Sequence, residues 1–207
     1  MNRRIFSSLW VATATLLMLS GSIGAAAAVQ AGKAAPDFTL VGSDGESYTL
    51  SELRGQRVIL EWTNHDCPYV RKHYGSGNMQ ALQKEAADLG YVWLSIISSA
   101  PGKQGHVDAA KANALSEDRD ATPAAVLFDE SGDVGRSYGA RTTPHMYVID
   151  EDGTLLYAGG IDDKPTANPA DIKGATNYVS QAMAELTAGD ALSVSASRPY
   201  GCSVKYK

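Results

Sequence analysis

Residues 57–63, Arg-Val-Ile-Leu-Glu-Trp-Thr, form a near-continuous apolar run in which no alternation marks a solvent face. A strand of that kind is buried on both sides, as in parallel or mixed sheets covered by helices. The run ends in the polar turn Asn64-His65-Asp66-Cys67-Pro68, and its proline suits the first position of a helix. An α/β fold follows from this junction, and the flanking sequence repeats the alternation. After a break at 75–77, Met79, Leu82, Ala86 and Leu89 form one apolar helical stripe closed by Gly90. Residues 91–97 read as a second buried strand, 108–117 as an alanine-rich helix, 124–129 as a third strand and 134–138 as a short helix. A fourth strand, 145–150, turns at Glu151-Asp152-Gly153 into 154–158.

Upstream, 36–40 and 46–50 form a hairpin around Asp44-Gly45, followed by a helical turn at 51–55. Downstream, a loop over 159–175 leads to an amphipathic helix from Tyr178 to about Thr187, with Tyr178, Val179, Ala182, Met183 and Leu186 on its buried face. Residues 191–207 form an extended tail. No repeat or linker divides the chain, and its 207 residues with 44% hydrophobic content suit one core. The net charge of −5, with no basic run after the first few residues, argues against nucleic acid or an anionic membrane surface as partner.

The first 28 residues are of another kind. Arg3 and Arg4 precede an apolar stretch from about Leu9 to Leu19, and small residues end in the run Ala25 to Ala28. That is the pattern of a secretory signal peptide cut near Ala28, too short to span a membrane and with no cysteine nearby to carry a lipid. The expected organisation is a signal peptide over 1–28, one domain over 29–190 and a tail over 191–207, in a periplasmic or secreted protein without a stable membrane anchor.

Only two cysteines are present, Cys67 and Cys202. An even pair in an oxidising compartment points to a disulfide. Cys67 lies between a buried strand and a helix start, where unpaired N–H groups and the helix dipole favour a thiolate. The competing reading is an inert core cysteine; the polar, turn-forming neighbours Asn64, His65, Asp66 and Pro68 favour the reactive one.

The order of elements, the strand-Cys67-Pro68-helix junction and Thr143-Pro144 before a strand resemble the thioredoxin-like superfamily. Ala35-Pro36-Asp37-Phe38-Thr39-Leu40, and Tyr147-Val148-Ile149-Asp150 followed by Gly153, are similar to exported redoxins of the alkyl hydroperoxide reductase and membrane-anchored periplasmic thioredoxin groups. The resemblance implies a thioredoxin-like fold, a central mixed sheet flanked by helices with an N-terminal hairpin and an extended C-terminal tail. It implies a thiol-disulfide oxidoreductase that needs no cofactor or metal, acts on protein or small-molecule thiols and disulfides, and exchanges electrons with an external redox partner protein.

By that resemblance Cys67 is the attacking cysteine, and Val70 stands where C-x-x-C would place its resolving partner. Cys202 is therefore the candidate resolving thiol, carried on a mobile tail. The alternatives are a permanent disulfide, worth about 5 kcal/mol for so long a loop, and an unpaired thiol. Pro144 matches the superfamily's cis-proline, which leaves the Thr143 backbone free to pair with a substrate chain; the other reading is a trans proline at a strand start. Pro68 borders the same site. Glu61 falls where thioredoxins keep a buried acid that relays protons and acts as base for the second thiol, or else it is a strand-end residue facing solvent.

A thiol peroxidase is the main rival reading. Peroxiredoxin sites place Thr or Ser three positions before the cysteine and an arginine facing it; here Asn64 holds the first position, and Arg141 is near the second but off its register. Copper binding by Cys67 with His65, His73 or His145 is weakened by the single local cysteine; a non-catalytic scaffold has the absent C-x-x-C in its favour, and retention of both thiols after export would distinguish catalysis from it.

Overall fold

The computed structural model describes residues 29–207, so the segment read as an export signal, with its cut near Ala28, lies outside the described residues. Strands run β1 (Lys33–Ala34), β2 (Thr39–Gly42), β3 (Ser47–Thr49), β4 (Val58–Trp62), β5 (Val92–Ile97), β6 (Ala125–Phe128), β7 (Thr142–Thr143), β8 (His145–Ile149), β9 (Thr154–Gly159) and β10 (Cys202–Ser203). The helices are α1 (Pro68–Gly75), α2 (Asn78–Asp88), α3 (Ala109–Asp118), α4 (Asp133–Ser137) and α5 (Tyr178–Ala188). Eight strands make one mixed sheet in the order β1-β9-β8-β4-β5-β6-β2-β3, and β7 pairs separately with β10.

The apolar run within residues 57–63 is β4, at the centre of the sheet, parallel to β5 and antiparallel to β8, with all five residues buried. Its odd and even positions serve two cores. Ile59 packs with Val70, Met79, Leu82, Trp93, Val179 and Met183 under α1, α2 and α5. Val58, Leu60 and Trp62 pack with Leu94, Ile96, Leu127, Tyr138 and Tyr147 on the other face. The Trp62 ring lies 5.2 Å from that of Tyr138 and 5.0 Å from that of Tyr147. Burial of large aromatics at this density is what lets a short central strand anchor the fold. Among the described residues no helix is long and apolar enough to cross a membrane.

The tail departs from expectation. Residues 191–207 are extended and, where a free tail was expected, docked: they form a strap across the cis-proline side of the sheet. Ala196 bridges to Ala158, and the Ser197 hydroxyl accepts from the Gly160 N–H at 2.9 Å. The Val204 N–H donates to Arg141 O at 3.0 Å, and Lys205 O accepts from the Ala100 N–H at 2.9 Å. Tyr206 ends the strap by donating to Ala140 O at 2.8 Å, with the Arg136 guanidinium over its ring at 4.8 Å. Backbone groups in the tail find partners instead of water, each bond contributing roughly 0.5–1.5 kcal/mol.

Candidate functional site

Cys67 is the N-cap of α1, in extended backbone conformation, with Pro68 at the first helical position. Its N–H donates to Asn64 O at 3.0 Å, which closes the turn leaving β4. The side chain is fully buried, 0% exposed, and the thiol donates to Thr143 O at 3.0 Å. Burial pushes this thiol up, but four donors outweigh it: the Cys202 thiol, the Val70 N–H in the first turn of α1, the Thr143 hydroxyl and the Cys202 N–H. The net effect holds Cys67 below the ordinary thiol range. The Thr143 hydroxyl is buried without a hydrogen-bond partner beside the thiol form, which leaves it free to donate to a thiolate.

Val70, the position that lacks a resolving cysteine, thus serves the sulfur through its backbone. The second thiol arrives on the strap, where Cys202 stands opposite Thr143 in the β7–β10 pair. Both cysteines are free thiols. Cys202 is partly exposed, and its thiol is pushed up to about 11 by burial, by donation to Cys67 and by the charge on that sulfur, with Lys205 opposing. Gly201 makes the approach possible: its φ is +138°, and a Cβ there would lie 2.1 Å from Thr143 O.

The Thr143–Pro144 peptide bond is cis. The Thr143 edge is not free for a substrate chain, as expected from the resemblance, because β10 already fills it. Pro68 is exposed on the rim beside Cys67.

Glu61 is buried, not facing solvent. Its carboxylate accepts from Ser95 Oγ at 2.8 Å, Trp93 Nε1 at 3.0 Å and Tyr74 OH at 3.0 Å. Burial raises its pKa above the usual carboxylate range against the pull of these donors. Neither cysteine is among its hydrogen-bond partners, so a base role toward Cys202 finds no direct path. A cavity of about 40 Å³ touches Thr63, Tyr74 and Ser95 and reaches Ser116 and Arg119 beneath α3. It has room for water beside the groups that hold the Glu61 carboxylate.

One cluster escaped the sequence reading. Lys72 and His73 on α1 are fully buried with Asp162 from the loop after β9. Lys72 Nζ donates to Lys164 O at 2.9 Å and to Asp162 at 3.4 Å. The Tyr200 hydroxyl donates to the other Asp162 oxygen. With that proton committed, His73 Nε2–H donates to Tyr200 at 3.2 Å, and Nδ1 accepts from Asn78 at 2.9 Å. Tyr200 also meets the Tyr69 ring edge-on at 5.8 Å. The cluster therefore pins the strap two residues before Cys202.

The residues weighed for peroxide and copper chemistry are engaged elsewhere. Asn64 donates to Gln104 O and accepts from the Asp66 N–H, and Arg141 is exposed. His145 is buried, with Nδ1 held by the Arg141 N–H and the Tyr147 hydroxyl. Among the described residues no three His, Cys, Asp or Glu side chains come together as a cation site.

Comparison with known proteins supplies the relatives. The sequence model of the Redoxin family matches residues 30–177. Thioredoxin-like protein YneN from Bacillus subtilis is 28% identical over 174 residues, 79% of this chain and 97% of the relative. Thiol-disulfide oxidoreductase ResA from Geobacillus kaustophilus is 26% identical over 159 residues, 69% of this chain and 82% of the relative. A solved structure of an uncharacterized conserved protein from Geobacillus kaustophilus superposes with a TM-score of 0.71 at 23% identity, covering 86% of this chain and 93% of that one. The thioredoxin-like fold expected from the sequence is the fold observed.

Proposed function

The chain belongs to the redoxin family, and on that footing we propose that it is an exported thiol-disulfide oxidoreductase whose redox couple is Cys67 and Cys202. The observation that carries this reading is the seating of Cys202 opposite Thr143, the residue whose carbonyl accepts from the Cys67 thiol at 3.0 Å. Export rests on the pattern of residues 1–28, and the likeness to ResA supports the reaction class. Cys67 supplies the stabilised thiolate of the couple, held by the first turn of α1 and by the strap. Cys202 supplies the thiol with which it closes a disulfide. Thr143 and Pro144 hold the two strands in register, Pro68 shapes the helix end, and Glu61 governs the charge of the core beneath α1. The substrates are thiols and disulfides, and an external redox protein resets the couple.

Mass spectrometry of the mature protein across a glutathione redox series tests this. Reversible pairing of Cys67 with Cys202 at a potential between roughly −270 and −120 mV is the expected result. A pair that resists reduction below about −300 mV is a structural staple, and that outcome refutes the proposal.

A further inference from the structure

We propose that Cys202, not Cys67, is the sulfur at which the couple meets outside thiols, and that Cys67 is the thiolate expelled behind it. The inference rests on the reading of the two cysteines as a redox couple and assigns each a side. Three observations carry it. Cys67 is 0% exposed, sealed by Thr143 and the strap, whereas Cys202 keeps part of its surface open. The strap is pinned on both sides of Cys202, by the buried Tyr200–Asp162–Lys72–His73 cluster before it and by Val204, Lys205 and Tyr206 after it. A groove of about 580 Å³ runs up to the residue preceding Cys202, lined among others by Thr142, Asp163, Tyr178, Arg198 and Gly201. Its size suits a small molecule, and the exposed Arg198 guanidinium suits the carboxylate of a cysteine-containing peptide of a few residues, whereas the Asp163 carboxylate is already held by Lys164 Nζ at 3.4 Å and the Thr176 N–H at 2.9 Å.

The chemistry is thiol-disulfide exchange in the sense of substrate oxidation. A substrate thiolate attacks Cys202 Sγ of the Cys67–Cys202 disulfide. That S–S bond breaks, its electron pair passes to Cys67, and a mixed disulfide remains on Cys202. A second substrate thiolate attacks the substrate sulfur of the mixed disulfide and releases Cys202. Two electrons have moved from two substrate thiols into the couple; one thiol proton passes to Cys202, the other to solvent, and Cys67 stays a thiolate. Exchange is faster when the expelled thiol is the better-stabilised anion, and while Cys202 carries the substrate the Val70 N–H, the Thr143 hydroxyl and the Cys202 N–H provide that for Cys67. The division of labour expected from the resemblance is reversed, since the docked strap puts Cys67 out of reach.

The test uses the mature wild-type protein oxidised with glutathione disulfide. It is mixed with excess reduced glutathione, quenched in acid at short times, alkylated and mapped by mass spectrometry. Glutathione on Cys202 with alkyl label on Cys67 is the expected pattern; the reverse pattern overturns the assignment and leaves the couple intact. A protein that forms no Cys67–Cys202 disulfide overturns both readings. A second measurement compares the single-thiol variants with glutathione disulfide at neutral pH. Thiolate fraction alone favours Cys67 in Cys202→Ser, whereas access predicts that Cys202 in Cys67→Ser takes up glutathione at least about tenfold faster. Equal or faster uptake at Cys67 refutes the proposal.

Discussion

Replacing Gly201 with alanine attacks the contact on which the site depends. The added methyl carbon would stand 2.1 Å from Thr143 O and 2.8 Å from its carbonyl carbon. The first distance is about 1.3 Å short of ordinary contact, and the obstacle is backbone, which cannot rotate away. A φ of +138° adds strain of about 1–3 kcal/mol for any residue with a Cβ. Moving the strand back by an ångström also breaks its hydrogen bonds to β7, each worth roughly 0.5–1.5 kcal/mol. Together the docked strap should lose about 2–4 kcal/mol, a shift of roughly 30- to 1,000-fold in its closing equilibrium. The eight-stranded sheet does not include β10, so the fold should persist, with an unchanged far-ultraviolet circular dichroism spectrum. The assay is alkylation of Cys67 by iodoacetamide at neutral pH, followed by mass spectrometry. Gly201→Ala should label Cys67 at least about tenfold faster than wild type and form the Cys67–Cys202 disulfide more slowly. Wild-type rates in both measurements would mean that the strap does not seal Cys67, and the reasoning from burial would fall.

The buried cluster gives a stability prediction: Lys72→Met leaves Asp162 without its cation and should cost about 3–5 kcal/mol in urea unfolding, while Lys72→Met with Asp162→Asn recovers most of the loss; equal costs would show the pair to be uncoupled. His73 is depressed to about 4, first by burial and by Lys72 against the pull of Asp162, with Tyr200 and Asn78 facing its ring. The unfolded chain takes up that proton near 6.5 and the native state only near 4, so the contribution is present above 6.5 and lost as pH falls to 4. It amounts to about 3 kcal/mol, and His73→Gln should flatten the slope of urea midpoints over that window. Glu61 has the opposite sign: its raised pKa favours the native state at low pH, and wild type should lose ground to Glu61→Gln as pH rises above 4.5. A constant difference between the two across pH would show that Glu61 titrates alike in both states.

The alternation of strands and helices was legible because each element carries its own period, and β4, β5 and β8 are runs that only a covered sheet can bury. Cys67 was legible for the same reason: the strand end and Pro68 fix its place at a helix start without any knowledge of the rest. The β7–β10 pair was not, since two residues on each side leave no periodic trace, and the path of the tail is set by contacts with Ala100, Ala140, Arg141 and Ala158 far back in the chain. Lys72, His73 and Asp162 were hidden by the ordinary expectation that charged side chains face water. Gly201 did carry a signal. A glycine beside a cysteine in an otherwise side-chain-rich tail marks a close backbone approach, and its partner proved to be Thr143.

The absence of a resolving cysteine at Val70 bears on why the strap is built as it is. In a C-x-x-C arrangement the second thiol sits one helical turn away, beneath the first, close to the buried acid. Here that place is apolar, and Glu61 keeps its hydrogen bonds with Tyr74, Trp93 and Ser95. A second thiol has to come from the other side of Cys67, and the open side is the Thr143 edge. A strand laid there places a thiol and an N–H on the Cys67 sulfur at once, so the element that delivers the second cysteine also stabilises the first as an anion. The same strand covers Cys67 and fills the backbone sites of Thr143. Reactivity and concealment thus have one structural origin, and whatever loosens the strap should raise the exposure of Cys67 while weakening the donors that make it a thiolate.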